Sequence, residues 1–346
     1  MTLFPPNLIR GGAVILTALL ALLPAAPGRA AGVEDFYKGR TVNVIIGYSV
    51  GGGYDLYARL LARYMGNHIP GQPTLVPQNM PGAGSLKAAN YLFYVAPKDG
   101  ATIGTFSRSM GLDPLLGGDG KYDATKFTWL GSMSRDTSLC VSWYTSPIQS
   151  WNDMLTKQYT VGGNGAGSDP DAYALAIKNV FGAKVKLVTG FPGTADIGLA
   201  VERGELDGLC GLSYSTAKSR YGAQIAEKKL TLLVQLALQR EPELPQVPLI
   251  TDLATNPEQL QIMKLVLGGL AMARPYTAPP GIPEDRAAAL RTAFDETMKD
   301  PAFLAEAEKL DLEISPVSSA AIEALLAELY ATPQDVVKQA IAAVAN

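Results

Sequence analysis

Hydrophobic and polar positions change period repeatedly along this chain, and glycine marks most of the changes. Thr41–Ser49 (TVNVIIGYS) is β-branched and apolar, the composition of a strand covered on both faces. After Gly51-Gly52-Gly53 the period becomes helical. Tyr57, Leu60, Leu61, Tyr64 and Met65 share one face of a helix predicted over 55–65, with Asp55 placed to cap it. Pro73–Met80 reads as a second strand, ended by Pro81-Gly82-Ala83-Gly84-Ser85; a helix over 85–95 and a strand over 101–106 come next. This β-α-β-α-β order predicts a parallel sheet with right-handed crossovers.

The pattern restarts after Arg135. Strands are predicted over 139–144, 159–162, 184–188, 205–210 and 230–236, and helices over 150–156, 171–181 and 193–203. Gly163-Asn164-Gly165-Ala166-Gly167-Ser168 is a second glycine-rich joint between strand and helix. Residues 265–273 read as strand-like, and the Pro- and Gly-rich stretch 275–283 separates them from a helical tail. Three apolar stripes define that tail: Ala287, Leu290, Phe294 and Met298; Ile322, Leu325, Leu326 and Leu329; Val336, Val337, Ala340, Ile341 and Val344. The fold class is therefore α/β, with two α/β units and no other internal repeat. The division drawn is 31–136 plus 251–346 for one lobe and 137–250 for the other.

Composition narrows the functions. With 346 residues, 47% of them hydrophobic and 18% charged, two domains with full cores are affordable and disorder is excluded. There are 29 Lys and Arg against 32 Asp and Glu with no basic stripe, which argues against a nucleic-acid partner. The single histidine, His68, excludes chemistry that needs two, such as His-based zinc sites; no metal or cofactor is called for.

The first thirty residues read as a signal peptide. Arg10 precedes an uncharged run from Gly11 to Leu23, then Pro24 and small residues; Gly28 and Ala30 suit cleavage after Ala30. The run is 13 residues, short of the ~20 that span a membrane. An exported protein follows, periplasmic in location, whose net charge moves from −3 to −5 when the two leader arginines are removed. Cys140 and Cys210 lie in short apolar runs, and an oxidising compartment allows either a disulfide or two buried thiols.

Gly47-Tyr48-Ser49-Val50-Gly51 has the G-x-S-x-G form of a hydrolase elbow. The base is missing, because His68 sits at the far end of the next helix, ~18 Å away at 1.5 Å per residue. Gly51-Gly52-Gly53 lacks the lysine and hydroxyl of a P-loop, and Gly163, Gly165 and Gly167 lack dinucleotide spacing. Asp169 and Asp171 read as a solvated helix start rather than a metal site. What survives is a binding role. Glycines at strand-to-helix joints let a ligand approach backbone N–H groups at helix starts, which hold an anion without Lys or Arg. The joints at 51–53, 82–84, 163–167 and 193, two in each unit, predict opposing rims of one cleft.

Gly51-Gly52-Gly53-Tyr54-Asp55-Leu56-Tyr57-Ala58-Arg59-Leu60-Leu61, Asn79-Met80-Pro81-Gly82-Ala83-Gly84-Ser85, Pro97-Lys98-Asp99-Gly100, Gly163–Ser168, Gly204-Glu205-Leu206-Asp207 and Pro280-Gly281-Ile282-Pro283 come in this order. Together they resemble the extracytoplasmic receptors of tripartite tricarboxylate transporters, the Bug/TctC family, from about Phe36 to the C-terminus. The resemblance implies a two-lobed periplasmic binding protein of type II. It would be a monomer without enzymatic activity that closes on a small organic carboxylate and presents it to membrane permease subunits. A receptor feeding a sensor kinase is the other reading it leaves open. Carried over, the ligand-binding residues are Tyr48, Gly51, Gly52, Gly53, Tyr54 and Asp55; Gly82, Ala83, Gly84 and Ser85; Ser107; and, from the second lobe, Gly165, Gly167, Ser168, Asp169, Gly193, Thr194 and Asp207. Three positions depart from the family pattern. Gly47-Tyr48 stands where Pro-Phe is usual, Tyr54 where Thr or Ser is common, and Asp169-Pro170-Asp171 where a His-Leu pair follows the serine. Tyr48 and Tyr54 serve either an aromatic acid or simple filling, and Asp169 is open to a cationic group such as an amine.

Overall fold

A computed structural model describes residues 32–346 and the first two residues. The expected leader and its cleavage site lie outside the described residues. Two sheets form, each packed on both faces. In the first, β1 (Thr41–Ile46) lies between β2 (Thr74–Asn79) and β3 (Thr102–Thr105), all parallel. Beyond β3 the sheet continues through β4 (Thr128–Ser132), β10 (Pro275–Ala278) and β11 (Val317–Ser318) in the order β11-β4-β10-β3-β1-β2, with β10 and β11 antiparallel to their neighbours. The second sheet has the order β7-β6-β8-β5-β9, from β5 (Ser138–Trp143), β6 (Tyr159–Gly162), β7 (Val185–Val188), β8 (Gly208–Ser213) and β9 (Leu230–Leu236). Here β6 runs parallel to β7 and β8, and β5 runs antiparallel to β8 and β9.

The β-branched strand predicted at 41–49 is β1, an interior strand of the sheet, whose Val42, Val44, Ile45 and Ile46 are all buried. Its helix, Gly53–Tyr64, begins two residues before the expected cap. Asp55 sits in the first turn and its carboxylate turns back to the Gly51 N–H, 2.8 Å away.

Three expectations need correction. Residues 265–273 are not a strand: the Pro257–Val266 helix runs into a 3-10 turn at Gly268–Met272. Asn256 caps that helix by accepting from the Gln259 N–H, and Pro257 opens it, a start signal that the apolar run after it obscured. The strand comes later, at β10, inside the stretch read as a linker. The strand expected at 205–210 lies at Gly208–Ser213, with Asp207 just before it, where its carboxylate accepts from the Thr160 N–H and the Ser146 hydroxyl. Finally, 251–346 does not belong wholly to the first lobe. Ile262 and Met263 of the Pro257–Val266 helix and Val337 and Ala340 of the Gln334–Val344 helix join the apolar cluster of the second sheet, with Tyr173, Ala174 and Ile177 of the Asp169–Phe181 helix.

Besides the link at 331–333 into the Gln334–Val344 helix, two crossing segments join the lobes, 133–137 and 270–274. They run side by side, with Met133 N–H to Arg274 O (3.0 Å), Ala273 N–H to Ser134 O (2.9 Å) and Asp136 N–H to Leu270 O (3.2 Å). Cys140 on β5 and Cys210 on β8 face each other in register, fully buried, and are bonded as a disulfide. The link closes a 70-residue loop, for which chain entropy predicts a stabilisation of about 4 kcal/mol, near the top of the usual range. Reduction, or paired Cys140→Ser and Cys210→Ser substitution, should therefore lower Tm by several degrees in a melt followed by circular dichroism; an unchanged Tm would contradict the bond.

Candidate functional site

In parallel sheets the strand carboxyl ends share one edge, and ligands bind beyond it. The carboxyl ends of β1, β2 and β3 lead into the joints at 47–53, 80–85 and 106–109; those of β6 and β8 lead into 163–168 and 213–216. These two edges face each other and touch. Gly84 N–H donates to Asn164 O at 2.9 Å, Ser49 N–H to Pro192 O at 3.4 Å, and Ser49 Oγ to Asp196 Oδ2 at 2.6 Å. The glycines make this approach possible. A Cβ on Gly84 would stand 2.8 Å from Ser168 Cβ, and one on Gly193 would strike Ser49 Oγ. The joint at 80–85 also needs left-handed backbone: Gly82, Ala83, Gly84 and Ser85 have φ of 142°, 45°, 60° and 83°. For Ala83 and Ser85 that strain is on the order of 1–3 kcal/mol each, and it persists because the neighbours fix it. Ser85 Oγ, for instance, bonds Gly47 O at 3.1 Å.

Each lobe braces its glycine loop with an aspartate from the first turn of the following helix. Asp55 accepts from Gly51 N–H (2.8 Å), Arg59 Nε (2.9 Å) and Asn79 Nδ2 (2.9 Å). Asp171 accepts from Gly165 N–H (3.0 Å), Ser168 Oγ (2.9 Å) and Thr189 Oγ1. Both stand behind their loops with their oxygens already occupied, so the expected ligand residue Asp55 is a support for Gly51–Gly53.

Between the edges lies a small cavity of about 20 Å3, lined by Tyr48, Gly52, Gly53, Tyr54, Asp169 and Thr194 among the expected residues. Tyr48 and Tyr54 stack, ring centroids 4.8 Å apart. Burial pushes both phenols above their ordinary pKa, so they stay neutral. Ser107, fully buried, meets the second lobe directly, its hydroxyl 3.2 Å from Asp169 Oδ1. Gly51 sits at the rim beside Arg220. Gly167 instead faces Asp113 and a second, apolar cavity of about 290 Å3 that runs beneath the C-terminal helix. Asp207 is at the opposite end of its sheet, at the start of β8, and takes no part in the cleft.

The sequence reading missed the charges. Arg108, 1% exposed, follows Ser107 directly, and its Nε lies 2.6 Å from Asp169 Oδ2. Arg274, 2% exposed, lines the cavity and stacks over the rings of Tyr54 and Tyr57, 4.9 Å from each centroid. Asp136, on the first crossing segment, is 3.4 Å from Arg274 Nη2 and 4.0 Å from Arg108 Nη1. Burial works against the Arg108 charge, and Asp169, Tyr173, Tyr54 and Asp136 together outweigh it and hold the guanidinium charged. A lone Arg274 inside an apolar stretch was the available signal, since buried arginines need partners. Asp169 is 3% exposed rather than solvated.

Ser49 has an aspartate, not a histidine, as its partner, and His68 pairs with Asp300 (3.0 Å) and Glu296 (3.5 Å). Two α/β lobes that meet at a cleft of glycine-rich joints define a two-lobed binding protein. The chain belongs to the tripartite tricarboxylate transporter receptor family (TctC), which it matches over residues 57–341. Among solved structures it is similar to the periplasmic binding protein BugD (20% identity, TM-score 0.69, covering 88% of this chain and 96% of that one). It is also similar to MatC from Rhodopseudomonas palustris with bound malate (22%, 0.68, covering 89% and 99%) and to an R. palustris protein with adipate (18%, 0.68, covering 87% and 97%). These share its two-lobed α/β fold. A UPF0065 protein from the gbd 5' region of Cupriavidus necator is 38% identical over 94 residues, so the match spans 27% of each chain. No helix among the described residues is long and apolar enough to cross a membrane.

Asp55 sets the acid limit of the first loop. Burial raises its pKa, but the bonds from Arg59, the Gly51 N–H and Asn79 outweigh that and leave it below the ordinary carboxylate value. Its stabilisation is thus complete above the unfolded pKa of ~3.9 and fades as pH falls through the lower folded value. Asp55→Asn should be less stable than the parent at pH 7 by about 1–3 kcal/mol, with the gap closing below pH ~4 in denaturant melts; a gap independent of pH would refute the brace.

Proposed function

We propose that this protein is a periplasmic receptor that captures a small organic carboxylate between its lobes and delivers it to the membrane subunits of a tripartite transporter. It acts as a monomer and catalyses no reaction. The observation that carries this reading is the meeting of four glycine-rich joints, two from each lobe, at one buried cleft floored by hydroxyls and arginines. Family membership and the malate and adipate held by similar folds point to the same ligand class. The Gly51–Gly53 and Gly82–Ser85 joints, Ser107, Asp169, Gly193 and Thr194 form the ligand-binding set. Ser49 serves as a cross-lobe tie through Asp196, not as a nucleophile.

The cavity of about 20 Å3 has room for a single water. A ligand therefore enters an opened form and is retained by closure, a population shift driven by contacts made only in the shut state. A thermal-shift screen over mono-, di- and tricarboxylates and amino acids should reveal ligands that raise Tm; at 100 times Kd the stabilisation is about 2.7 kcal/mol. Gly193 has extended backbone that any residue adopts, so Gly193→Val tests space alone. It should keep its own Tm, hold the lobes apart in small-angle scattering and lose at least tenfold in affinity. Retained affinity would place the ligand elsewhere.

Export with cleavage after Ala30 gives a mature chain beginning at Ala31. Intact mass of the periplasmic form checks this, and any other N-terminus rejects the site.

A further inference from the structure

Closure of this cleft buries a set of charges that balances. Arg108 comes from the end of β3, Arg274 and Asp136 from the two crossing segments, and Asp169 from the first turn of a second-lobe helix. Two positive and two negative side chains, each at most 5% exposed, leave no net charge. Only one contact among them joins the lobes themselves. Asp169 Oδ2 lies 2.6 Å from Arg108 Nε, and Oδ1 accepts from Ser107 Oγ (3.2 Å) and Ser109 Oγ. A second-lobe carboxylate thus occupies a first-lobe receptor made of two hydroxyls and a guanidinium. That receptor is not saturated. Arg108 Nε is in ionic contact with Asp169 but out of hydrogen-bond alignment, and Arg108 Nη1 and Arg274 Nε also lack an acceptor among the described residues. Arg274 and Asp169 both line the cavity.

A ligand carboxylate that takes Ser107, Arg108 and Ser109 must displace Asp169. If the ligand carries only negative charge, closure then buries the Asp169 carboxylate without its partner, against a second anion. An unpaired buried charge is strongly unfavourable. A ligand that also carries a protonated amine removes the conflict: its carboxylate goes to Arg108 and its ammonium to Asp169, and every charge in the shut cleft stays paired.

Resting on the receptor reading above, we infer that the ligand is a small amino carboxylate, inserted into the Asp169–Arg108 ion pair, with Asp169 as the residue that selects for the amine. Asp169 is thereby a specificity determinant, and not only a latch between the lobes.

The test uses matched pairs that differ by the amine: L-aspartate and succinate, L-glutamate and glutarate, L-alanine and propionate, with malate and adipate as further plain acids. Calorimetric titration of the unmodified protein should show at least one amino member bound tenfold or more tighter than its deaminated partner. Asp169→Asn should weaken that amino member and leave the plain acid unchanged or tighter, so that the preference disappears. The parent protein's preference decides the matter even where the variant folds poorly. Plain acids bound as tightly as their amino partners would overturn the inference while leaving the carboxylate receptor standing. So would a preference that survives Asp169→Asn. Failure of every acid, amino or plain, to bind would overturn the receptor reading and this inference with it.

Discussion

Main chain reaches main chain across this cleft at Gly84 and beside Gly193, where a missing side chain lets the two edges meet. The 2.9 Å bond from Gly84 N–H to Asn164 O and the seating of Gly193 on Ser49 leave no room for a Cβ. That constraint explains why glycine-rich joints recur at the carboxyl ends of strands in both lobes, and why each loop has its own aspartate behind it. A glycine loop has the largest backbone entropy to lose on ordering. Asp55 and Asp171 reduce that freedom by fixing a loop N–H and neighbouring donors. The rims are thus shaped before a ligand arrives, and little of the ligand's binding free energy goes into ordering them.

Much of this was legible in the sequence because it is periodic or compositional. Strand β1 announces itself through Val42, Val44, Ile45 and Ile46, and the helix after it through the spacing of Tyr57, Leu60 and Leu61. Glycine joints are visible as composition, and their order carried the family resemblance. Residues 265–273 misled because an apolar run without clear period suits a strand as well as a buried helix followed by a tight turn. The C-terminal helix misled for a different reason: its stripe shows that Val337 and Ala340 are buried, but not against which sheet. Asp207 was misplaced because a motif says nothing about which end of a strand it occupies.

Arg108, Arg274 and Asp136 escaped because their meaning is entirely tertiary. They are separated by 28 to 166 residues in the chain, and no local pattern links them. The expectation that the cleft would hold an anion by backbone alone was reasonable from the glycines and incomplete for that reason. The amide-rich rims are present, and a buried ionic floor lies beneath them.

The position of that floor bears on how the receptor opens. Asp136 and Arg274 lie on the two crossing segments, tied together by the bonds between Met133, Ser134, Ala273 and Arg274. Were the lobes to part by bending there, both residues would move together and keep their pairing. The Asp169–Arg108 contact spans the lobes and is the ion pair that such an opening would break. When it breaks, both groups become hydrated, where two charges 4 Å apart attract by only about 1 kcal/mol. In the shut state their attraction is stronger, but so is the penalty for removing them from water, and the two largely cancel. The ion pair therefore fixes the register of closure without committing the protein to it. A hinge whose open and shut forms are nearly balanced is the condition under which a small ligand's differential contacts can shift the population.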